Sequence, residues 1–208
     1  WGILKWAMSL DGRTALPNGV SQWISNTEAR ESVYRLRSKC DAVIIGGGTF
    51  RNDNPTLTSR GLSNPEPLRV LFTKSLNLIS EANLWNTSTA RTLVAYGPEA
   101  NSDLIGKLPE TVLKKELPES TPKELLKELA IQGCNQVLWE CGPSLATVAL
   151  KDKCVQEIVL FIAPKLLGGL PAMTLLENLG FDVIDQALPC NNISLEKTGK
   201  DFVLNMIL

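Results

Sequence analysis

With 208 residues, 44% of them hydrophobic, the chain can bury one sizeable core, and its composition excludes disorder. A net charge of −1 excludes nucleic-acid or membrane-surface binding driven by bulk electrostatics. No apolar run reaches the length of a membrane span, no signal-peptide pattern opens the chain, and with Trp1 in place of Met we expect it to be a piece of a longer one.

Residues 3–9 (ILKWAMS) alternate as a strand, and Asp11-Gly12 and Pro17-Asn18-Gly19 are turn signals. Residues 21–24 (SQWI) read as a short extended piece. Ser25 with Glu28 three residues on forms a capping box for a helix to about Lys39, with Val33, Leu36 and Cys40 inward. The stretch DAVIIGGGTFRNDNPTLTSR, residues 41–60, then opens as a strand buried on both faces. It empties into Gly46, Gly47 and Gly48, and Thr49 begins a helical turn that Asn54-Pro55 closes. A strand ending in glycines and a helix start is where open α/β sheets bind ligands, and its free N–H groups favour anions. Residues 68–73 (LRVLFT) and 92–96 (TLVAY) are two further buried strands, and 97–120 promise loops and short elements.

The best-marked helix follows, with Thr121 as cap, Pro122 at its first position, Glu124 completing the box and Gly133 ending it. Residues 136–140 (QVLWE) form a strand, Gly142-Pro143 opens a helix to about Leu150, and 157–163 is a buried strand. Residues 193–197 and 202–207 around Thr198-Gly199-Lys200-Asp201 form an antiparallel hairpin. Strand–helix alternation with that terminal hairpin predicts an α/β fold: one domain over residues 1–208, a mostly parallel central sheet flanked by helices, and antiparallel strands at an edge.

Histidine is absent, which excludes a catalytic histidine and any zinc site containing one. The five cysteines show no paired spacing and read as small buried hydrophobes in a reducing compartment, so no metal is expected. GxGxxG starting at Gly46 would need glycine where Arg51 stands, and no Gly-Lys-Ser/Thr follows a glycine loop, so both common nucleotide fingerprints fail. A second glycine-bearing strand end, Glu140-Cys141-Gly142-Pro143-Ser144-Leu145, fits either a diphosphate site or an ordinary connection capped by Ser144. On neighbouring strands the two glycine ends would make one dinucleotide cleft.

Several single residues carry two readings each. Glu140 ends an apolar strand and either surfaces there or faces the ligand crevice. Arg37 suits a solvated helix face or a phosphate, and Arg60 a surface loop or the same phosphate. Lys5 interrupts an apolar strand, so it snorkels to an edge or faces a site. Trp23 is core or a shelf for a planar ring.

Taken in order, these pieces resemble the reductase domain of the bifunctional riboflavin-biosynthesis deaminase/reductase. They are KWAMSLDGR from Lys5, SQWI from Ser21, DAVIIGGGT from Asp41, DNPTLTSR from Asp53, Arg69-Val70, ECGPSL from Glu140 and PKLLGG from Pro164. The resemblance covers nearly the whole chain. It implies a dihydrofolate-reductase-like fold, NADPH as hydride donor, and reduction of 5-amino-6-(5-phosphoribosylamino)uracil to its ribitylamino form. Carried over residue by residue, it places Ala7, Trp23, Thr49, Asp53, Thr73, Gly142, Pro143, Ser144, Leu145, Ala146, Thr147 and Val148 at the NADPH site. It places Ser21, Arg37, Leu57, Arg60 and Glu140 on the substrate; of the ionisable groups, Lys5, Asp53 and Glu140 are the ones we expect nearest the reacting carbon. It further implies a cytoplasmic homodimer (in the plastid stroma if the source is a plant) whose parent chain also carries an N-terminal deaminase domain. Two rivals remain: a reductase of another heterocycle on the same fold, and an NADPH-binding module without turnover.

Overall fold

The computed structural model describes residues 1–169 and 173–208. In chain order the elements are β1 (Gly2–Ser9), α1 (Thr27–Arg37), β2 (Ala42–Gly46), α2 (Gly47–Asp53), β3 (Leu68–Thr73), β4 (Thr92–Tyr96), α3 (Ser102–Ile105), β5 (Leu113–Glu116), α4 (Pro122–Ile131), β6 (Val137–Trp139), α5 (Pro143–Lys151), β7 (Glu157–Ala163), β8 (Asn191–Thr198) and β9 (Asp201–Ile207). They fall into two compact units. The first joins residues Trp1–Val33 to Gly142–Leu208, and the second is Tyr34–Cys141.

The second unit carries a wholly parallel sheet in the order β5-β4-β3-β2-β6. Its central strands are apolar and β-branched on both faces, which is what a parallel strand covered on both sides requires. The register sets Gly46 beside Phe72, so β2 and β3 end level and the glycines emerge next to Thr73. Besides the hydroxyls of Thr73 and Thr92, these central strands bury one charged side chain. Arg69 in β3 is fully buried, and its guanidinium donates to the carbonyls of Asn86 and Ala90 at 2.8 Å and of Leu84 at 3.2 Å. Burial lowers its pKa, and these carbonyls supply the partners that a buried charge needs. At the outer edge, β5 (LKKE) is exposed along its length, and its lysines discourage further pairing.

In the first unit β1 pairs parallel with β7, β7 antiparallel with β9, and β9 with β8. The fold is therefore mixed α/β, mostly parallel, with the antiparallel hairpin at the C-terminus that the sequence predicts. Among the described residues, no helix is long and apolar enough to cross a membrane.

The differences from the sequence reading are local. Asn26, not Ser25, caps α1: its Oδ1 accepts the Ala29 N–H at 2.7 Å, and its own N–H donates to Asp201 at 2.7 Å. Asn and Ser cap equally well, so the tie to Asp201 decides between neighbours. α1 also stops at Arg37, and Leu36 is only half-buried. Residues 21–24 form turns rather than a strand. α2 starts at Gly47, two residues before Thr49. Thr121 caps α4 as expected, through the Glu124 N–H at 3.3 Å, but the Glu124 carboxylate turns to Lys127 instead of closing the box. Cys40, Cys141 and Cys154 are buried, as expected of small hydrophobes, whereas Cys134 and Cys190 are only half-buried.

The hairpin turn depends on one glycine. Gly199 has φ +61°, and a Cβ there would stand 2.8 Å from Asn26 Nδ2, which itself donates to the Thr198 carbonyl. Gly199→Ala is expected to destabilise the chain by about 1–2 kcal/mol. A thermal melt checks this: the expected fall in Tm is about 2–8 °C, and no fall would contradict it.

Candidate active site

In the second unit, the last turn of α1 and the end of β6 bring Arg37 to Glu140. Arg37 Nε donates to Glu140 Oε1 at 2.6 Å and Nη2 to Oε2 at 3.0 Å, a two-pronged pair with side chains only 12% and 11% exposed. Nη1 donates to the Thr58 carbonyl at 3.0 Å. Burial pulls the Arg37 guanidinium down, but the Glu140 charge and hydrogen bond outweigh it and hold it above its ordinary value. Glu140 is placed by its own backbone, whose N–H donates to the Ile44 carbonyl at 2.9 Å, extending the β2–β6 ladder by one residue. It is neither a surface carboxylate nor a plain strand end.

Arg60 joins this group through an aromatic ring. The guanidinium carbons of Arg37 and Arg60 lie 5.8 and 5.6 Å from the centre of the Tyr34 ring. Arg60 is exposed, so its charge is open to solvent and to a ligand. Of the residues expected to hold substrate, Arg37, Arg60 and Glu140 are thus brought together, and Leu57 lies buried next to Thr58. Tyr34 is absent from the sequence reading. Its signal is helical spacing, since it stands three residues before Arg37 on the same helix.

The loop that delivers Arg60 is strained. Asn54, Leu57 and Arg60 have φ of 39°, 57° and 61°, and Gly61 follows at 82°. Each non-glycine residue held there costs about 1–2 kcal/mol, and such strain gathers at ligand loops. Nothing in the one-letter sequence marks Leu57 or Arg60 as left-handed.

The glycine end of β2 is built differently at each position. A Cβ on Gly47 would come within 3.0 Å of Arg51 Nη1, the far end of a flexible side chain, and 3.4 Å of Thr73 Oγ1, so the backbone there packs closely against β3. A Cβ on Gly48 would meet nothing within 4 Å. Thr49 and Asp53 are half-buried on α2, and Thr73 is buried.

In the first unit Lys5 and Ala7 stand two residues apart on β1, hence on one face, both half-buried. Lys5 Nζ sits 5.8 Å from the Phe161 ring centre on β7. Trp23 is 65% exposed, which removes the core reading. Arg30 lies 4.6 Å over its ring, and Lys165 donates to its carbonyl at 3.4 Å. Ser21 is half-buried just before it.

Gly142 is the N-cap residue of α5, and no side chain caps that end. The Ser144 hydroxyl donates to the Glu177 carboxylate, and the buried Thr147 hydroxyl accepts the Glu177 N–H at 2.9 Å. Ala146 is fully buried, whereas Val148 is 43% exposed. What this end presents is the bare backbone of its first turn, which suits a phosphate. The preceding Cys141 is no nucleophile, because burial and then the Glu140 charge push its thiol up to about 12.

Asp11 has a structural task. Its carboxylate accepts from the Ser9 hydroxyl at 2.5 Å, the Gly168 N–H at 2.7 Å and the Leu167 N–H at 3.1 Å, which together hold its pKa at about 2. The motifs at residues 9–13 and 164–169 therefore tie two loops of this unit together.

The family model for the RibD C-terminal domain matches residues 1–204. The chain is 41% identical over 207 residues to the riboflavin biosynthesis protein RibD of Synechocystis sp., covering 98% of this chain and 55% of that protein. It is 37% identical over 206 residues to the chloroplastic riboflavin biosynthesis protein PYRR of Zea mays, covering 99% of this chain and 33% of that one. Among solved structures, RibD of Acinetobacter baumannii superposes with a TM-score of 0.84 at 30% identity, over 100% of this chain and 57% of that one. The chain thus spans between a third and just over half of these relatives.

Proposed function

This chain belongs to the RibD C-terminal domain family, and from that premise we propose that it reduces 5-amino-6-(5-phosphoribosylamino)uracil to 5-amino-6-(5-phosphoribitylamino)uracil with NADPH. The observation that carries this reading is the cluster in which Arg37 forks onto Glu140 and shares the Tyr34 ring with the exposed Arg60. It pairs a cation for a sugar phosphate with a held carboxylate, which a substrate lacking phosphate would not need.

The residues present suit the cofactor. The uncapped first turn of α5 offers N–H groups to a diphosphate, and Trp23 exposes a planar ring. Ala7, Thr49, Asp53, Thr73 and residues 142–148 complete the set assigned to it. When bound, NADPH supplies the hydride that reduces C1 of the ring-opened, imine-like sugar. The chain's own part is position and protons. Arg60 takes the phosphate, Arg37 orients Glu140, and Ser21 and Leu57 border the substrate. Glu140, ionised against Arg37, or Asp53 assists ring opening or relays the proton to the sugar, with Lys5 orienting its partner.

The same reading makes the protein a homodimer, paired at the exposed β8 edge. In its parent protein it follows a deaminase domain, and it works in the cytoplasm or, in a plant, the plastid stroma.

NADPH oxidation by the purified chain, with and without the sugar phosphate, tests the reading. The expected result is substrate-dependent loss of NADPH with recovery of the ribitylamino product. NADPH binding without oxidation would overturn it in favour of a non-catalytic module or another heterocycle.

A further inference from the structure

Arg60 is held from both sides by a carboxylate that none of the expectations above assigns. Glu66 Oε2 accepts the Ser59 N–H at 2.6 Å, and Glu66 Oε1 accepts the Gly61 N–H at 2.7 Å. These are the peptide groups immediately before and after Arg60. Pro65 and Pro67 flank Glu66, each with its own φ fixed by its ring, and Pro67 keeps Glu66 out of the helical region, so the carboxylate stands on a restricted segment. A third tie holds the loop one residue earlier, where Arg37 Nη1 donates to the Thr58 carbonyl. The Ser59 hydroxyl adds a fourth, accepting the Ser63 N–H at 3.2 Å.

Such bonds are what a loop with Leu57, Arg60 and Gly61 at positive φ requires, because its conformation is not one the chain adopts unaided. We propose that Glu66 is a positioning residue for Arg60: it clamps the two N–H groups beside it and fixes the direction in which the exposed guanidinium meets the substrate's phosphate. This rests on the reading of Arg60 as phosphate ligand. Supporting it, Glu66 stays ionised at neutral pH. Burial raises its pKa, but the Ser59 and Gly61 N–H groups, the Ser59 hydroxyl and the Arg37 charge outweigh that and lower it. Ionised, it accepts on both oxygens. A glutamine keeps the shape and loses one acceptor, so one of the two N–H groups is left without its partner.

Two measurements on the full chain test this. The first is trypsin cleavage after Arg60, which Glu66→Gln is expected to accelerate several-fold. An unchanged rate overturns the clamp whatever the ligand does. The second is affinity for the sugar phosphate in wild type, Glu66→Gln, Arg60→Gln and the double variant. Glu66→Gln is expected to raise Kd about tenfold, with NADPH affinity and kcat nearly unchanged. In the Arg60→Gln background the same change is expected to add almost nothing, because Glu66 acts through Arg60. Penalties that multiply, or a fall in NADPH affinity, would show a merely structural role and overturn the proposal. Failure of the wild type itself to bind the sugar phosphate would instead overturn the functional reading, leaving the trypsin result to decide the clamp.

Discussion

Glu140→Gln is expected to lower kcat about a hundredfold or more, the usual contribution of a positioned proton carrier, while NADPH affinity stays close to wild type. The amide has nearly the shape of the carboxylate and stands on the same backbone, fixed by the N–H bond to Ile44. What it lacks is the charge and the second acceptor that Arg37 grips at 2.6 and 3.0 Å. Loss of the proton carrier lowers kcat, whereas loss of a uniform substrate contact raises KM alone, so the kcat and KM split separates the two roles. Asp53→Asn is the necessary companion. If both variants keep full turnover, neither carboxylate carries the proton and the chemical assignment is wrong.

Arg37→Met is expected to have the largest effect on stability, about 3–5 kcal/mol, which lowers Tm by roughly 6–20 °C in a chain of this size. Both side chains of the pair are nearly nine-tenths buried, so removal of the cation leaves a carboxylate short of its partner. The Thr58 carbonyl loses its donor as well, and with it one tie on the Arg60 loop. The double variant Arg37→Met with Glu140→Met is expected to recover much of the lost stability, because removal of both charges also removes their desolvation cost. A melt of the single variant within 2 °C of wild type would show that the pair contributes far less than its geometry implies.

Much of the fold was legible because its strands are bounded apolar runs. β3, β4 and β7 begin and end at the residues where hydrophobicity and turn residues place them. α4 was readable from its cap, its proline and its glycine. Where two neighbours had equal local merit, sequence could not choose. Ser25 and Asn26 are equally good caps, and only the bond from Asn26 to Asp201, 175 positions along the chain, decides between them. The extended reading of residues 21–24 failed because apolar residues at an exposed turn look the same in sequence as those in a strand, and Trp23 is the clearest instance.

By itself the sequence determined the fold class, the absence of histidine chemistry and the set of residues that carry the resemblance, because composition, periodicity and ordered motifs are local properties of the chain. Only the tertiary structure decided that Arg37 is engaged with Glu140 on both carboxylate oxygens while Arg60 is the exposed cation over Tyr34. Only it showed that Ser144 and Thr147 spend their hydroxyls on Glu177. Likewise, only it revealed the loop around Arg60 in left-handed backbone, held by Glu66. A pairing between residues 103 apart, as Arg37 and Glu140 are, is a product of strand order and register. A positive φ at leucine or arginine is likewise imposed by the contacts around it, since the residue alone disfavours it.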